Sequence, residues 1–402
     1  MKVIVLGAGR VGEAIARDLA AGGNLELTVA DVSQPALDRL AGINGLMTER
    51  ADIAAPGEIG RLVGGFDLAV GSVPGPMGFA TLGRIIDAGI NVVDISFFEE
   101  EPWPLNTLAL ERGVTVVTDC GVAPGSSSLI FGRAEASWER VDAFRCYVGG
   151  LPVARHWPYE YKAAFSPIDV IAEYTRPARL VQRGEVVTKP ALTDLEHFDF
   201  DEIGTLEAFN TDGLRTLLKT SKVPEMTEKT LRYPGHAEHM RMLADIGFFG
   251  EDPIEVGGVE VRPIDMSAKL LIPAWNLGEG EKDLTVLRVE IDGLFEGRRI
   301  TRRYDMLDRF DRKTGLTSMA RTTGYTCAAM VNAIADGLFT EPGLSPPEIV
   351  GRNEACYDFI FDYLAKRGIR FAVTEELLYF APPTRPFWTA KSAKSAKKVN
   401  FV

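Results

Sequence analysis

The chain begins with a short, unbroken apolar run, Val3-Ile4-Val5-Leu6, which predicts a strand buried on both faces. Gly7-Ala8-Gly9-Arg10-Val11-Gly12 follows, and then EAIARDLAAGG, whose apolar residues recur at helical spacing. The pattern is strand, glycine turn, helix. A second run, LELTVAD, ends at Asp31, and three more follow: FDLAVGSVP over 66–74, INVVDIS over 90–96 and VTVVTDCG over 114–121. Helical patterns lie between them, over 79–88 and 103–112. Buried strands alternating with helices predict a doubly wound parallel sheet. In such a sheet ligands lie beyond the carboxyl ends of the strands, which places Ser72 to Pro76, Ser96 to Phe98 and Asp119 to Gly125 along the ligand crevice.

From about Val141 the periodicity changes to alternating runs with many turns, among them AFRCYVGGLPV, ARLVQRGEVV, GGVEVRPI and TVLRVEIDGLFEGRRITRRYDML. Alternation of this kind suits a mainly antiparallel sheet. Helical stretches are expected over 167–174, 213–220 and 237–248. An apolar helix over 318–339 is expected to return to the first sheet, with another amphipathic helix over 353–368. The predicted fold is therefore α/β: an N-terminal Rossmann doubly wound parallel sheet plus an α+β substrate domain with a mainly antiparallel sheet. The expected divisions are 1–125 for dinucleotide binding, 126–320 for substrate binding and oligomerisation, 321–380 for C-terminal helices, and 381–402 for a solvated, lysine-rich tail.

The 402 residues are 46% hydrophobic and 25% charged, as expected of a globular chain long enough for two cores. The net charge of −12 argues against nucleic acid or an anionic membrane as partner. The early glycines interrupt any signal-peptide pattern, and no apolar run of about eighteen residues occurs, so a cytoplasmic protein is expected. Cys120, Cys146, Cys327 and Cys356 show no C-x-x-C spacing and are expected to be buried thiols, with no metal site.

Each glycine of the first turn has a physical purpose. Gly7 permits the turn, Gly9 lets backbone amides approach a pyrophosphate, and Gly12 lets the helix lie close to its strand. Asp31, nineteen residues beyond Gly12, can accept the ribose hydroxyls of an adenosine. Its charge would repel a 2′-phosphate, and Val32-Ser33-Gln34 offers no cation, so NAD is expected over NADP, with FAD as a competitor for the same motif. Gly7, Gly9, Arg10, Val11, Gly12, Asp31, Ser72, Val73 and Pro74 are the predicted cofactor contacts.

Three later stretches carry polar groups suited to chemistry. In YVGGLPVARHWPYEYKAAFS, Gly149-Gly150 permits close backbone approach, and Glu160, Tyr161, Lys162 and Ser166 lie among aromatics, either as pocket or as core. In KTLRYPGHAEHMRMLADIGFF, Arg232 and Tyr233 precede a turn, and His236 falls at a helix N-terminus that disfavours the imidazolium. His236 is thus a candidate base and Arg232 a candidate clamp for a carboxylate. A capping histidine is the plainer alternative, and a metal pair with His239 a remote one. In MARTTGYTCAAM, Thr323 is either a helix cap or a binding group at a positive helix end.

These stretches resemble the saccharopine dehydrogenase superfamily, and most closely its lysine 6-dehydrogenase branch. The likeness lies in VLGAG with Asp31, D-x-GVAPG at 119–125, YVGG-x-PV, LEAF at 206–209, KT-x-RY-x-GHAE at 229–238 and MAR-x-T-x-YT at 319–326. It implies NAD-dependent oxidative deamination of the ε-amino group of L-lysine to allysine, which cyclises to 1-piperideine-6-carboxylate, with ammonia and NADH released. It also implies a homo-oligomer and an amino-acid substrate as partner. His236, Glu160 and Asp119 are then expected in catalysis, and Arg232, Tyr161, Tyr233 and Thr323 in substrate binding. Saccharopine itself is the alternative substrate, needing extra cations that Arg145, Arg155 and Lys162 would supply. A non-catalytic NAD-responsive regulator is the third reading.

Overall fold

The structure is a computed structural model and describes residues 1–163, 167–278, 280–378 and 397–399. Its first sheet has seven strands, ordered 343–344, 115–117, 91–94, 68–71, 2–6, 26–31 and 46–50, and every pairing is parallel. The strand Lys2–Leu6 is central. The chain winds outward from it to 46–50 and then crosses to 68–71, so the order reverses between these two halves and opens a crevice at their carboxyl ends. Two strands of this sheet escape the apolar pattern. Leu46–Arg50 is an exposed edge, and Gly343–Leu344 is only two residues long and arrives after the whole second sheet.

The second sheet has ten strands. Its main path runs 196–200, 204–210, 225–232, 140–152, 283–295, 298–309, 371–377 and 397–399, with the hairpin 178–182 and 185–189 attached beside 225–232. All these pairs are antiparallel except Glu225–Arg232 with Arg140–Pro152. GGVEVRPI does not join it. Residues 254–256 and 259–261 pair only with each other, in a separate hairpin. The helix expected over 213–220 is regular only over Leu217–Thr220, and an unforeseen helix, Pro263–Trp275, follows the hairpin. The tail expected over 381–402 lies outside the described residues, apart from 397–399.

The helix Ser318–Ala335 joins the two sheets. Its residues from Ser318 to Ile334 are buried almost without interruption. Gly324 packs where a Cβ would meet Ala14 and Ile15 of the first helix at 3.3 Å. One continuous apolar cluster runs from Val3, Val5 and Val29 through Cys327, Ala328 and Val331 to Leu287 and Val289. The expected division at 320/321 therefore falls inside a helix whose burial belongs to both sheets. The four cysteines are buried and free. Among the described residues no helix is long and apolar enough to cross a membrane.

Candidate active site

A cavity of about 760 Å³ lies along the carboxyl ends of the parallel strands and continues under the second sheet. One end is built largely of backbone. Gly7 has φ +107°, and a Cβ on it would lie 2.2 Å from Ser72 O; one on Gly12 would lie 2.0 Å from Gly7 O. Only glycine fits either position. Over Gly9 there is nothing within 4 Å, and the helix Arg10–Gly22 that starts there has no side-chain cap. Its first amides are therefore left to face the cavity with the positive end of the helix, which fits a pyrophosphate.

Asp31 is fixed beside this turn, accepting the Ala8 amide at 2.6 Å and the Ser33 amide at 2.7 Å. It lines the cavity with Gly7, Gly9, Arg10, Val11, Gly12, Ser72, Val73 and Pro74, so the predicted cofactor contacts are brought together. The structure adds one cation that residues 32–34 did not offer. Arg50 pairs in register with Asp31 across the strands and donates to Val32 O at 3.2 Å. Arg10 turns away from this end, its guanidinium donating to Ala163 O, Asn276 Oδ1 and Leu277 O.

At the middle of the cavity, Ser96, Phe97 and the loop 121–124 form the wall with Asp119. The Asp119 carboxylate is fully engaged by Arg215, whose Nη2 lies 3.0 Å away, and both side chains are almost completely buried. Arg215 also donates to Phe98 O. Asp119 therefore fastens the second sheet's loops to the first, and the catalytic role expected of it gives way to a positioning one.

The far end is walled by charged side chains from separate segments: Glu173 from the helix Pro167–Thr175 and Arg176 just after it, Asp212 from the loop after 204–210, and Glu228 and Arg232 from the strand Glu225–Arg232. Arg232 is 2% exposed, donates to Glu173 at 2.7 Å and covers the Tyr161 ring at 4.4 Å. Its Nε has no hydrogen-bond partner, nor has Nη1 of Arg176. Arginines that line a cavity and keep a buried N–H without a partner suit an anionic ligand group nearby. Asp212 is held by Arg179 at 2.8 Å. Glu228 instead accepts from a neutral hydroxyl, Thr211 Oγ1, at 2.7 Å.

Several predicted site residues stand elsewhere. His236 does not line the cavity: Nε2 lies 2.8 Å from the Tyr174 hydroxyl and Nδ1 2.8 Å from Tyr159 O. Burial, and then the nearby Arg232, push its pKa down to about 3. It is a neutral, fully bonded core histidine, and the base assignment is corrected accordingly. The helix start it occupies is capped by Glu207, which accepts the Gly235 and Ala237 amides at 2.9 and 2.6 Å. Glu160 pairs with Arg155 and contributes nothing to the cavity wall. Tyr161 lies behind Arg232, and the Tyr233 hydroxyl donates to Pro152 O at 2.9 Å. Thr323 does line the cavity, but from within the helix, whose cap is Thr317. Arg145 faces Glu290 and Asp292, Arg155 faces Glu160, and Lys162 faces Asn276 O and Glu281, so none of these three cations reaches the cavity. Ser166 lies outside the described residues.

Glu173, Arg176, Asp212, Arg215 and, above all, Glu228 carry no motif that marks them in the sequence. Strand alternation from Arg232 leads back through Thr230 to Glu228, and this is the signal that would have found it. Among the described residues no group of three His, Cys, Asp or Glu side chains is placed to hold a metal ion.

Comparison with known proteins agrees with this architecture. The profile of the saccharopine dehydrogenase NADP binding domain matches residues 3–117, and that of the saccharopine dehydrogenase C-terminal domain matches 121–369. Saccharopine dehydrogenase [NADP(+), L-glutamate-forming] of Schizosaccharomyces pombe is 22% identical over 84% of this chain and 90% of its own length. The mitochondrial alpha-aminoadipic semialdehyde synthase of Rattus norvegicus is 23% identical over 65% of this chain, which spans only 30% of that longer protein. The solved apo saccharopine dehydrogenase (L-Glu forming) of Saccharomyces cerevisiae superposes with a TM-score of 0.76 over 94% of this chain and all of that one, at 20% identity.

Proposed function

For this chain, which belongs to the saccharopine dehydrogenase family, we propose the oxidative deamination of the ε-amino group of L-lysine, with NAD as oxidant. The balanced reaction is R–CH2–NH3⁺ + NAD⁺ + H2O giving R–CHO + NH4⁺ + NADH + H⁺. The observation that carries this reading is the far wall of the cavity. There the buried guanidinium of Arg232, with one unpartnered N–H, stands with Arg176 among the carboxylates Glu173, Asp212 and Glu228. A wall of this mixed charge suits an amino-acid substrate that carries both carboxylate and amine.

The bound dinucleotide supplies the hydride acceptor. The chain's own residues bind and orient. Gly7, Gly9 and Gly12 with the helix start would hold the pyrophosphate, Asp31 the adenosine ribose, and Ser96, Phe97 and the loop 121–124 the wall where the reacting carbon lies. Arg232 clamps the α-carboxylate, and Glu173 or Asp212 attracts the α-ammonium. The carboxylate of Asp31 favours NAD, because a 2′-phosphate would meet a fixed like charge.

A second reading keeps the fold and changes the substrate. Arg176 offers another unpartnered N–H on the same wall, which suits a second carboxylate, as in saccharopine. The test is formation of reduced dinucleotide from purified protein with L-lysine or saccharopine, each with NAD or NADP. Lysine with NAD, yielding ammonia, supports the proposal; saccharopine alone, yielding glutamate, replaces it with the second reading. Absence of turnover with both defeats the amine-oxidation reading.

A further inference from the structure

Oxidation of an amine carbon requires a free lone pair on nitrogen, so a group in the cavity must take a proton from the bound ammonium. His236 is sealed into the core and Asp119 is bound to Arg215, which leaves this step without a residue. The strand Glu225–Arg232 supplies one. Its alternation sends Lys229 to one face, where Nζ bonds Glu196, and Glu228, Thr230 and Arg232 to the other, along the cavity wall. Thr211 Oγ1 donates to Glu228 Oε2 at 2.7 Å and lies 2.9 Å from Thr230 Oγ1, so the carboxylate is held in one orientation by neutral groups.

The surroundings are shaped to this side chain. A Cβ on Gly213 would lie 2.3 Å from Glu228 Cδ, so glycine at 213 is what leaves room for the carboxylate. Glu173 faces it from the helix Pro167–Thr175, Asp212 from the loop, Cys146 from the neighbouring strand, and Arg232 follows it on its own strand. Away from the dinucleotide end, the cavity carboxylates Asp119, Asp212 and Glu173 each have an arginine within 3.0 Å.

We propose that Glu228 is the proton acceptor of the reaction, an inference that rests on the amine-oxidation reading above. The step is balanced: one N–H bond of the substrate ammonium breaks, one O–H bond forms on the Glu228 carboxylate, and the electron pair stays on nitrogen. The neutral amine then loses hydride from its carbon to the oxidised dinucleotide, and the resulting iminium takes up water. Burial, with Glu173 and Asp212 adding to it against the Thr211 bond, raises the Glu228 pKa to about 8. The acid–base change thus falls where a group must both take and release a proton near neutral pH. Because the deprotonated form accepts the proton, kcat/KM should rise with pH through about 8.

The test compares the wild type, Glu228→Gln and Glu228→Asp as full-length proteins. With lysine and NAD, Glu228→Gln should lower kcat by roughly 10²–10⁴-fold, the usual worth of one positioned proton transfer. It should also lose the alkaline rise in kcat/KM, keep wild-type dinucleotide affinity by fluorescence titration, and be partly restored in Glu228→Asp. A second readout needs no turnover. The infrared difference spectrum of cofactor-free wild type minus Glu228→Gln, in which the buried Asp94 and Glu348 cancel, should show the carbonyl band of a protonated carboxyl at neutral pH, fading as pH passes about 8. An active wild type whose Glu228→Gln variant keeps its rate and pH profile overturns the assignment of Glu228 alone. A wild type inactive on every amine removes the reading beneath it, and the two failures are therefore distinct.

Discussion

The two ends of the cavity are made of different materials. At the dinucleotide end the phosphate-facing surface is backbone and small side chains from one short stretch, Gly7 to Gly12, beside the carboxylate of Asp31, fixed by two amides. At the other end charged and hydroxyl side chains stand in the wall, and they arrive from three separate elements: Glu173 from a helix, Asp212 from a loop, and Glu228 and Arg232 from one strand. The first end is held by local geometry and tolerates no added atom at Gly7 or Gly12. The second is held by charge pairing across long sequence distances. A family built this way can keep its oxidant while altering what it oxidises.

The joint between the ends should be the most sensitive point. Arg215→Ala leaves Asp119 as an uncompensated buried charge and should cost about 3–5 kcal/mol, seen as a shift in the denaturant midpoint. Next, Arg232→Ala should raise KM for the amino acid with a loss of about 2–5 kcal/mol, for the same reason at a ligand contact. Its dinucleotide affinity should be unchanged. Gly12→Ala should do the reverse, forcing a Cβ to 2.0 Å from Gly7 O. Overpacking of this kind typically costs about 1–3 kcal/mol, read here as weakened dinucleotide binding and a lower Tm. If both substitutions weakened both ligands equally, the division of the cavity would be wrong.

Asp31→Ser should act only at the dinucleotide end, moving preference toward NADP by about tenfold or more, since like charges in contact cost several kcal/mol. Arg50, beside Asp31, would then be free to meet the phosphate. The smallest kinetic effect is expected from His236→Gln, which should leave the pH dependence of kcat/KM intact. Its signature is in stability. The folded imidazole titrates at about 3 against an ordinary 6.5, so the unfolded chain binds more protons between these values, and stability is lost as pH falls through that window. His236→Gln should flatten that acid limb in thermal melts. Glu228 acts with the opposite sign, because its folded pKa is raised: its carboxyl is neutral in both states below about 4.5, and stability declines as pH climbs from there to about 8.

The same contrast explains what could be read from the sequence. The glycine turn and Asp31 lie within one strand-helix-strand unit, where spacing alone dictates proximity, and the parallel sheet follows from the repeated apolar runs. The far wall depends on the register of Glu225–Arg232 against Arg140–Pro152 and 204–210, which no local pattern encodes. His236 sits at a helix start, as its Pro-Gly turn predicts. Whether that start faces the cavity or the core is decided by Tyr159 and Tyr174, distant in the chain. Leu46–Arg50 and Gly343–Leu344 were hidden for a similar reason: one is an exposed edge and the other too short to carry a period.

In the proposed reaction the ε-nitrogen of lysine leaves as ammonia. L-Lysine carrying an isotopic label only at that nitrogen, incubated with the protein and NAD, tests it directly. Labelled ammonia equal in amount to the NADH formed is the expected result. Unlabelled ammonia would show attack at the α-carbon, and NADH formed from saccharopine alone, with glutamate as co-product, would contradict the assigned substrate.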